Sequence, residues 1–141
     1  ATDLLADTKL APELSNEAHY YRAKAYLDAG KTDGAMEDLK VLAKDTRNVY
    51  GAEAKYKVAQ IYFDGGQTDK AEQEVLNYIE VSTPHTYWLA RSFVLLADVY
   101  MKLGRNLDAK QYLLSLKQNY QADDDIAGMM ESRLEKLKTE N

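Results

Sequence analysis

Apolar and polar residues alternate along residues 51–76 with the period of two α-helices joined by a tight turn. Val58 and Tyr62 share one face at the spacing of a helical turn. Gly66 then predicts a helix end, because glycine adopts the left-handed conformation that closes many helices without a steric penalty. A second apolar stripe at helical spacing begins at Ala71. The stretch therefore predicts a helix hairpin.

The same hairpin pattern occurs three times in register along the chain. In each copy, small residues let the two helices approach closely, and a tyrosine fills the space toward the next hairpin. Each hairpin leaves an apolar face that only a neighbouring hairpin can cover, so a stack of hairpins is predicted. The recurring residues are Ala23, Tyr26, Gly30 and Ala35; then Ala59, Tyr62, Gly66 and Ala71; then Ala97, Tyr100, Gly104 and Ala109.

Residues that favour helix starts follow the turns. Thr32, Thr68 and Asn106 occupy one equivalent position and are predicted N-caps. Before the third copy, Thr83 is a predicted N-cap with Pro84 at the first helical position. This junction is expected to lengthen the next helix by about one turn.

The signature A-x-x-Y-x-x-x-G-x-x-x-x-A-x-x-x-[LV]-x-x-[LY] resembles the tetratricopeptide repeat over residues 16–121. The resemblance implies an all-α fold, an α-α superhelix (solenoid) of stacked antiparallel helix hairpins. An aromatic residue usual early in the first helix is present at Phe93, whereas His19 and Lys55 replace it in the other copies. The closing proline of the family is also missing. The distance along the chain between equivalent residues of successive copies is longer than in the standard repeat, and in this it is similar to the repeats of bacterial cell-envelope proteins. This similarity favours the bacterial periplasm or cell envelope slightly over the cytoplasm, and the compartment stays unassigned.

The repeats divide a single domain into five segments. Residues 1–9 match the second helix of a repeat whose first helix is missing, with Pro12 and Ser15 marking the break and the next N-cap. We therefore expect a fragment of a longer array; an N-terminal capping helix is the alternative. The predicted segments are 1–14 (truncated repeat), 15–50 (first repeat), 51–83 (second repeat), 84–121 (third repeat) and 122–141 (C-terminal capping helix).

The last segment begins with an acidic run and continues as an amphipathic helix. Residues 123–125 are all aspartates, which favour the positive end of a helix dipole and lack the ligand spacing of a calcium loop. The apolar side of the predicted helix is formed by Ile126, Met130, Leu134 and Leu137.

Composition excludes several classes of function. With 45% hydrophobic and 29% charged residues, the 141-residue chain is typical of one globular domain. Its net charge of −5 argues against non-specific nucleic-acid binding, which requires a basic face. No apolar run approaches the ~20 residues that span a bilayer, so no membrane insertion is expected. Cysteine is absent, which excludes disulfides and thiolate chemistry.

No catalytic or cofactor motif is evident. The histidines, His19 and His85, lie far apart in the repeat frame, and no serine, threonine or cysteine stands in a triad pattern. Gly30 and Gly34 are not followed by the Lys-Ser/Thr of a phosphate loop. We therefore predict no enzyme, no cofactor and no metal site.

The resemblance implies a concave groove lined by the first helices, where a peptide or a helix of a partner protein would lie. Aromatic anchors are expected at Tyr20, Tyr56 and Phe63, the residue type that often dominates binding energy. The positions expected to contact a partner are Tyr20, Lys24, Leu27, Tyr56, Gln60, Phe63, Arg91, Asp98 and Met101. Further groove positions are Glu17, Asp28, Glu53, Asp64, Val94 and Lys102.

Two functions fit this pattern. The first is a protein–protein interaction scaffold with a protein or peptide partner of unknown identity. Lys24 matches one lysine of the family's clamp for C-terminal carboxylates, but Tyr20, Gln60 and Asp98 do not complete that clamp. The alternative is a structural or self-association module, which would act through the end faces at residues 1–9 and 123–139. A Tyr56→Ala change is expected to spare folding under the first function.

Overall fold

The computed structural model describes residues 11–81 and 83–139, and this part of the chain contains seven α-helices and no strand. Consecutive helices pack against each other, so the predicted all-α stack of hairpins is confirmed. The helices are α1 Ala11–Asp28, α2 Thr32–Leu42, α3 Val49–Asp64, α4 Thr68–Glu80, α5 Thr86–Lys102, α6 Asn106–Asn119 and α7 Ile126–Thr139.

A left-handed glycine closes the first helix of every hairpin, as predicted. Gly30, Gly66 and Gly104 have φ angles of 75°, 82° and 76°. The N–H of the residue after the glycine then bonds the carbonyl of the recurring tyrosine, as from Lys31 to Tyr26 at 2.7 Å. This bond satisfies a carbonyl that the helix end would otherwise leave unpaired. The recurring tyrosine therefore stands four residues before the glycine because its carbonyl accepts the bond that ends the helix.

The predicted N-caps Thr32, Thr68 and Asn106 are wrong by one residue, because each is the first residue of its helix. In the first hairpin the cap position is Lys31, whose side chain makes no capping bond. Its N–H closes the preceding helix, and its carbonyl accepts the first bond of the next, from Ala35 at 3.2 Å. One residue performs both tasks, so the turn has no room for a separate cap.

Two clusters of buried side chains form the core. The N-terminal cluster contains Leu39 and Val58, and the C-terminal cluster contains Val75 and Leu95. Helix α3 supplies residues to both clusters, with Ala54 facing one and Ala59 the other. Every repeat alanine is buried, as the hairpin pattern predicted: Ala23, Ala35, Ala59, Ala71, Ala97 and Ala109.

The helices lie in two layers. The first helices of the hairpins, α1, α3 and α5, contact one another in series and then α7. Within the described residues, the second helices α2, α4 and α6 contact first helices and not each other. On one side of α1, α3, α5 and α7, side chains bridge from one first helix to the next. We call this side the first-helix surface.

A pair of side chains joins the two helices of each hairpin at one equivalent position. His19 Nδ1 lies 2.8 Å from Asp38 Oδ1 in the first hairpin. In the third hairpin the equivalent rings, Phe93 and Tyr112, lie 6.0 Å apart. The missing aromatic residue of the first two repeats is therefore replaced by an ionic or hydrogen-bonded pair. The pairs are His19–Asp38, Lys55–Glu74 and Phe93–Tyr112.

The extra length of the third repeat is distributed differently from the prediction. Helix α5 begins at Thr86, so Thr83 and Pro84 lie before it, and His85 is at the cap position. It has 17 residues against 16 in α3, an extension of one residue rather than a turn. The second helix lengthens instead, from 11 residues in α2 to 13 in α4. Thr83 has a different role, since its hydroxyl donates to the carbonyl of Thr46 at 2.7 Å.

Both ends of the described chain are helical. At the C-terminus, Ile126, Met130, Leu134 and Leu137 are buried, as predicted for the capping helix. At the other end, α1 already includes Ser15, so the predicted N-cap there is wrong. The proposed half-repeat at residues 1–9 lies outside the described residues.

Across residues 11–81 and 83–139, no helix combines the length and the apolar character that crossing a bilayer requires.

Candidate functional site

Hydrogen-bonded side chains bridge each pair of neighbouring first helices. The first two bridges use equivalent positions of successive repeats, and the third lies one turn further along. Arg133 donates to both carboxylate oxygens of Asp98, at 2.9 and 3.0 Å, which ties α7 to α5. The bridging pairs are Tyr20–Glu53, Tyr56–Arg91 and Asp98–Arg133.

Tyr20 lies at the centre of the bridge between α1 and α3. Its hydroxyl donates to Glu53 at 3.2 Å, and its ring lies 4.7 Å from that of Tyr50. The Nζ atoms of Lys24 and Lys57 lie 5.3 and 6.0 Å from the ring centroid. Burial raises the pKa of the Tyr20 hydroxyl, and the Glu53 carboxylate raises it further. Two cations and one carboxylate therefore surround a half-buried ring.

Tyr56 occupies the core rather than the surface. It is 8% exposed and belongs to the C-terminal cluster. Its hydroxyl donates to Gln60 Oε1 at 2.8 Å, and Gln60 Nε2 donates to Asp64 at 2.8 Å. Because removing a buried ring leaves a cavity, we now expect Tyr56→Ala to destabilise the fold rather than to spare it.

Arg91 lies among three aromatic rings where α3 meets α5. The Cζ atom is 4.9 Å from the ring centroid of Tyr56, 5.8 Å from Trp88 and 6.0 Å from Tyr87. The guanidinium donates to the hydroxyls of Tyr56 at 3.2 Å and Tyr87 at 3.3 Å. The Tyr87 hydroxyl donates in turn to Asp125 at 2.9 Å. The sequence had indicated Tyr87 and Trp88 only as part of a longer helix, although the four-residue step from Tyr87 to Arg91 places both on one face.

The remaining predicted contact residues differ in exposure. Leu27, Phe63 and Met101 are half-buried against the core clusters, and Val94 is buried. The Nζ atom of Lys102 lies 5.4 Å from the Phe63 ring centroid. The exposed members of the set are Glu17, Lys24, Asp28, Asp64 and Lys102. The first-helix surface thus combines partly covered apolar side chains with exposed charges.

The charge of equivalent positions changes sign along this surface. Glu53 of the second repeat corresponds to Arg91 of the third, and Asp64 corresponds to Lys102. Acidic residues hold the same two positions in the first repeat. Helix α5 therefore presents cations where α1 and α3 present carboxylates.

The histidines have structural contacts. His19 bonds Asp38, and His85 Nε2 lies 3.0 Å from the carbonyl oxygen of Arg47. Arg22 donates two bonds to the buried Asp38, at 2.8 and 2.6 Å. These bonds hold the pKa of Asp38 below its ordinary value although burial acts in the opposite direction. Among the residues that the structure describes, no three His, Cys, Asp or Glu side chains cluster as metal ligands would.

Comparison with protein families identifies two of the hairpins. A family model described as tetratricopeptide repeat matches residues 17–45, and a second model with the same description matches residues 90–119. These ranges correspond to α1 with α2 and to α5 with α6, and the unmatched central hairpin has the same turn geometry. No curated protein and no solved structure matches the chain.

Proposed function

Since the chain belongs to the tetratricopeptide repeat family, whose repeats are in general protein–protein interaction modules, we propose that its first-helix surface is the binding surface of a non-enzymatic scaffold. The ligand would be a peptide or a helix of a partner protein, held along α1, α3 and α5 without turnover. This assignment gives the exposed and half-buried members of the predicted contact set one common role, whereas Tyr56 lies in the core.

The observation that carries the proposal is the arrangement of rings and charges on this surface. Half-buried Tyr20 and Phe63 lie next to exposed Lys24 and Lys102. A partly covered ring can bury more area when a ligand binds, and it loses little conformational freedom because its neighbours already hold it. The charges around the rings would orient the ligand and set its register.

The test compares two charge-reversal variants of the whole chain. The first-helix variant is Lys24→Glu, Asp64→Lys, Lys102→Glu, and the matched control has the same set of charge changes on the second-helix side. All the substituted side chains are exposed, so both variants are expected to keep the helical circular dichroism spectrum. The control substitutions are Glu37→Lys, Lys44→Glu and Lys110→Glu.

Partner capture from a lysate of the source cells, with mass spectrometry and then titration of the purified captured protein, measures the effect. We expect wild type and control to bind the same protein and the first-helix variant to bind it at least about tenfold more weakly, since each tenfold change needs only about 1.4 kcal/mol. Equal binding by both variants would show that the binding surface does not lie on the first helices.

A self-association module remains the second candidate, and exposed leucines near the last hairpin favour it. Leu107 is 70% exposed and Leu114 is 45% exposed on α6. Leu134 of α7 is buried, so a Leu134→Asp change would disrupt the fold and cannot test the end face. Sedimentation velocity of a Leu107→Gln, Leu114→Gln variant tests self-association through the exposed leucines of α6 instead. The candidate predicts a wild-type oligomer that this variant dissociates, and a monomeric wild type would exclude it.

A further inference from the structure

In the groove between the first and second hairpins, two lysines lie close to one aromatic ring. Lys40 of α2 and Lys70 of α4 each place the Nζ atom 5.7 Å from the ring centroid of Tyr62. Both lysine side chains are exposed, and neither forms an ion pair within residues 11–81 and 83–139. Among the same residues, the Tyr62 hydroxyl has no hydrogen-bond partner. Two cations and one O–H donor are therefore available to a ligand of negative charge.

Apolar side chains line another part of the same groove. The groove has a volume of about 600 Å³, and Leu27, Met36 and Ile61 line it together with the Tyr62 ring. All four side chains are half-buried against the N-terminal cluster. A ligand that covers them removes apolar surface from water, which favours an apolar body next to the charged group.

Two aspartates also line this groove, Asp33 and Asp64. Asp64 accepts a hydrogen bond from Gln60 at 2.8 Å, and neither aspartate pairs with a lysine of the groove in the part of the chain that the structure describes. These carboxylates repel an entering anion, so the anion must contact both ammonium groups in order to bind. A group with more than one negative charge meets this requirement best.

The equivalent ring one repeat later shows the contrast. The Cζ atom of Arg105 lies 4.3 Å from the Tyr100 ring centroid, and its guanidinium pairs with Asp108 at 2.8 Å and with Glu72 at 3.7 Å. Asp108 stands at the position that Lys70 occupies in the second repeat. The cation beside the ring is therefore neutralised within the chain at the second boundary, whereas the cations at the first boundary are not.

We propose that this groove binds a small phosphate monoester with an apolar body, whose phosphoryl group contacts Lys40 and Lys70 and accepts a hydrogen bond from the Tyr62 hydroxyl. A phosphoryl group carries a charge of about −1.5 to −2 at pH 7 and has three acceptor oxygens, so it can satisfy all three donors at once. Lysine binds phosphate as a point charge on a flexible stem, which lets two lysines from separate helices reach one group. The inference goes beyond the proposed function, because the ligand is a small molecule and not a partner protein.

The experiment is an NMR titration of the ¹⁵N-labelled whole chain with phenyl phosphate. Inorganic phosphate, which lacks the apolar body, and benzoate, which carries a single charge, are titrated at the same ionic strength. The variants Lys40→Gln and Lys70→Gln each remove one ammonium group, and Tyr62→Phe removes only the hydroxyl. Arg105→Gln is the matched control, because it removes a positive charge beside the equivalent ring. Circular dichroism confirms that all variants are folded.

We expect phenyl phosphate to shift the amide resonances of Tyr62, Gln67 and Lys70 until they saturate, with a Kd on the order of 1 mM, and to bind wild type and Arg105→Gln equally. Lys40→Gln and Lys70→Gln should each weaken binding at least about fivefold. Tyr62→Phe should weaken it less, because it removes a hydrogen bond and no charge. Inorganic phosphate and benzoate should each bind wild type at least about fivefold more weakly than phenyl phosphate does.

Each contrary outcome overturns a stated part of the proposal. The absence of saturating shifts with phenyl phosphate, or equal affinity in wild type and both lysine variants, overturns the site itself. Benzoate that binds as tightly as phenyl phosphate overturns the assignment of a phosphoryl group, and inorganic phosphate that does so overturns the role of the apolar lining. None of these results affects the first-helix surface, which the partner capture tests separately.

Discussion

At the scale of single residues, close contacts determine which residue type several positions can hold. These contacts do not follow from the periodic pattern of the sequence. Gly51 lies in the first turn of α3 against the loop that follows α2, and a Cβ atom there would lie 1.9 Å from the carbonyl oxygen of Asp45. No side chain can occupy that space unless the backbone moves. Asp38 is a second such position, since its carboxylate is buried and bonded by Arg22 and His19.

Gly51→Ala is therefore expected to lower the free energy of unfolding by about 1–3 kcal/mol or more, as overpacking does elsewhere. Gly128→Ala is the matched control, because no atom of residues 11–81 or 83–139 lies within 4 Å of its Cβ position in α7. Alanine in a helix interior should keep or raise stability there by up to about 1 kcal/mol. Urea denaturation measures both, and a Gly51→Ala variant as stable as the parent would contradict the close approach of α3 to the loop.

Asp38→Asn is expected to cost about 1–3 kcal/mol near neutral pH, because it removes the charge that Arg22 and His19 bind. The folded-state pKa of Asp38 lies below the unfolded value of about 3.9, so its contribution is fully present above that pH. It is lost as the pH falls through the folded-state pKa. Urea titrations from pH 7 down to pH 3 should therefore show the parent approaching the variant. A Glu131→Gln control at an exposed pair should change stability little at any pH.

At the scale of elements, each hairpin is specified by the conformation of its turn glycine. The residue after that glycine bonds the recurring tyrosine's carbonyl, from Gln67 to Tyr62 at 2.8 Å and from Arg105 to Tyr100 at 2.7 Å. A Cβ atom makes that left-handed conformation sterically unfavourable, and the conformation is less unfavourable for asparagine than for alanine. The turn therefore depends on backbone geometry more than on side-chain capping.

Gly66→Ala tests this dependence in the central hairpin, where φ is 82° and no atom of the part of the chain that the structure describes lies within 4 Å of the Cβ position. The open space leaves backbone strain as the cause, with an expected loss of about 1–2 kcal/mol. Gly66→Asn should lose less. Thermal unfolding followed by circular dichroism ranks the three proteins, and an alanine variant at least as stable as the asparagine variant would contradict the turn conformation.

At the scale of the whole molecule, stability is divided between two core clusters that share α3. The N-terminal cluster includes Leu39 and the C-terminal cluster includes Leu134, at opposite ends of the stack. In a stack of repeats each unit contacts its neighbours, so a local loss of packing should open the nearest hairpin first.

Leu134→Ala and Leu39→Ala form a matched pair for this prediction. Each should cost about 2–5 kcal/mol, the usual range for a buried leucine. Hydrogen exchange should show protection lost first in α6 and α7 for Leu134→Ala, and first in α1 and α2 for Leu39→Ala. Uniform loss of protection in both variants would show that the molecule unfolds as one cooperative unit.

The fold was predictable because its determinants are local. The spacing of apolar residues determines which face of a helix is buried, and glycine marks the end of a helix wherever a left-handed residue is required. The positions of Gly66 and Ala71, and the apolar side of α7, followed from the sequence for this reason. The N-cap positions did not, because Lys31 and its equivalents close one helix and begin the next.

The candidate site could not be predicted in the same way, because it depends on contacts between repeats. The pattern within a repeat does not specify those contacts. Tyr20 and Tyr56 occupy equivalent positions, yet one is half-buried beside two lysines and the other lies in the core. The sequence by itself determined the helices, their turns and the faces that pack, because these follow from backbone geometry and periodicity. Only the tertiary structure decided which charges are paired and which, such as Arg91, have no carboxylate partner among the described residues, because ion pairing requires distances between separate helices.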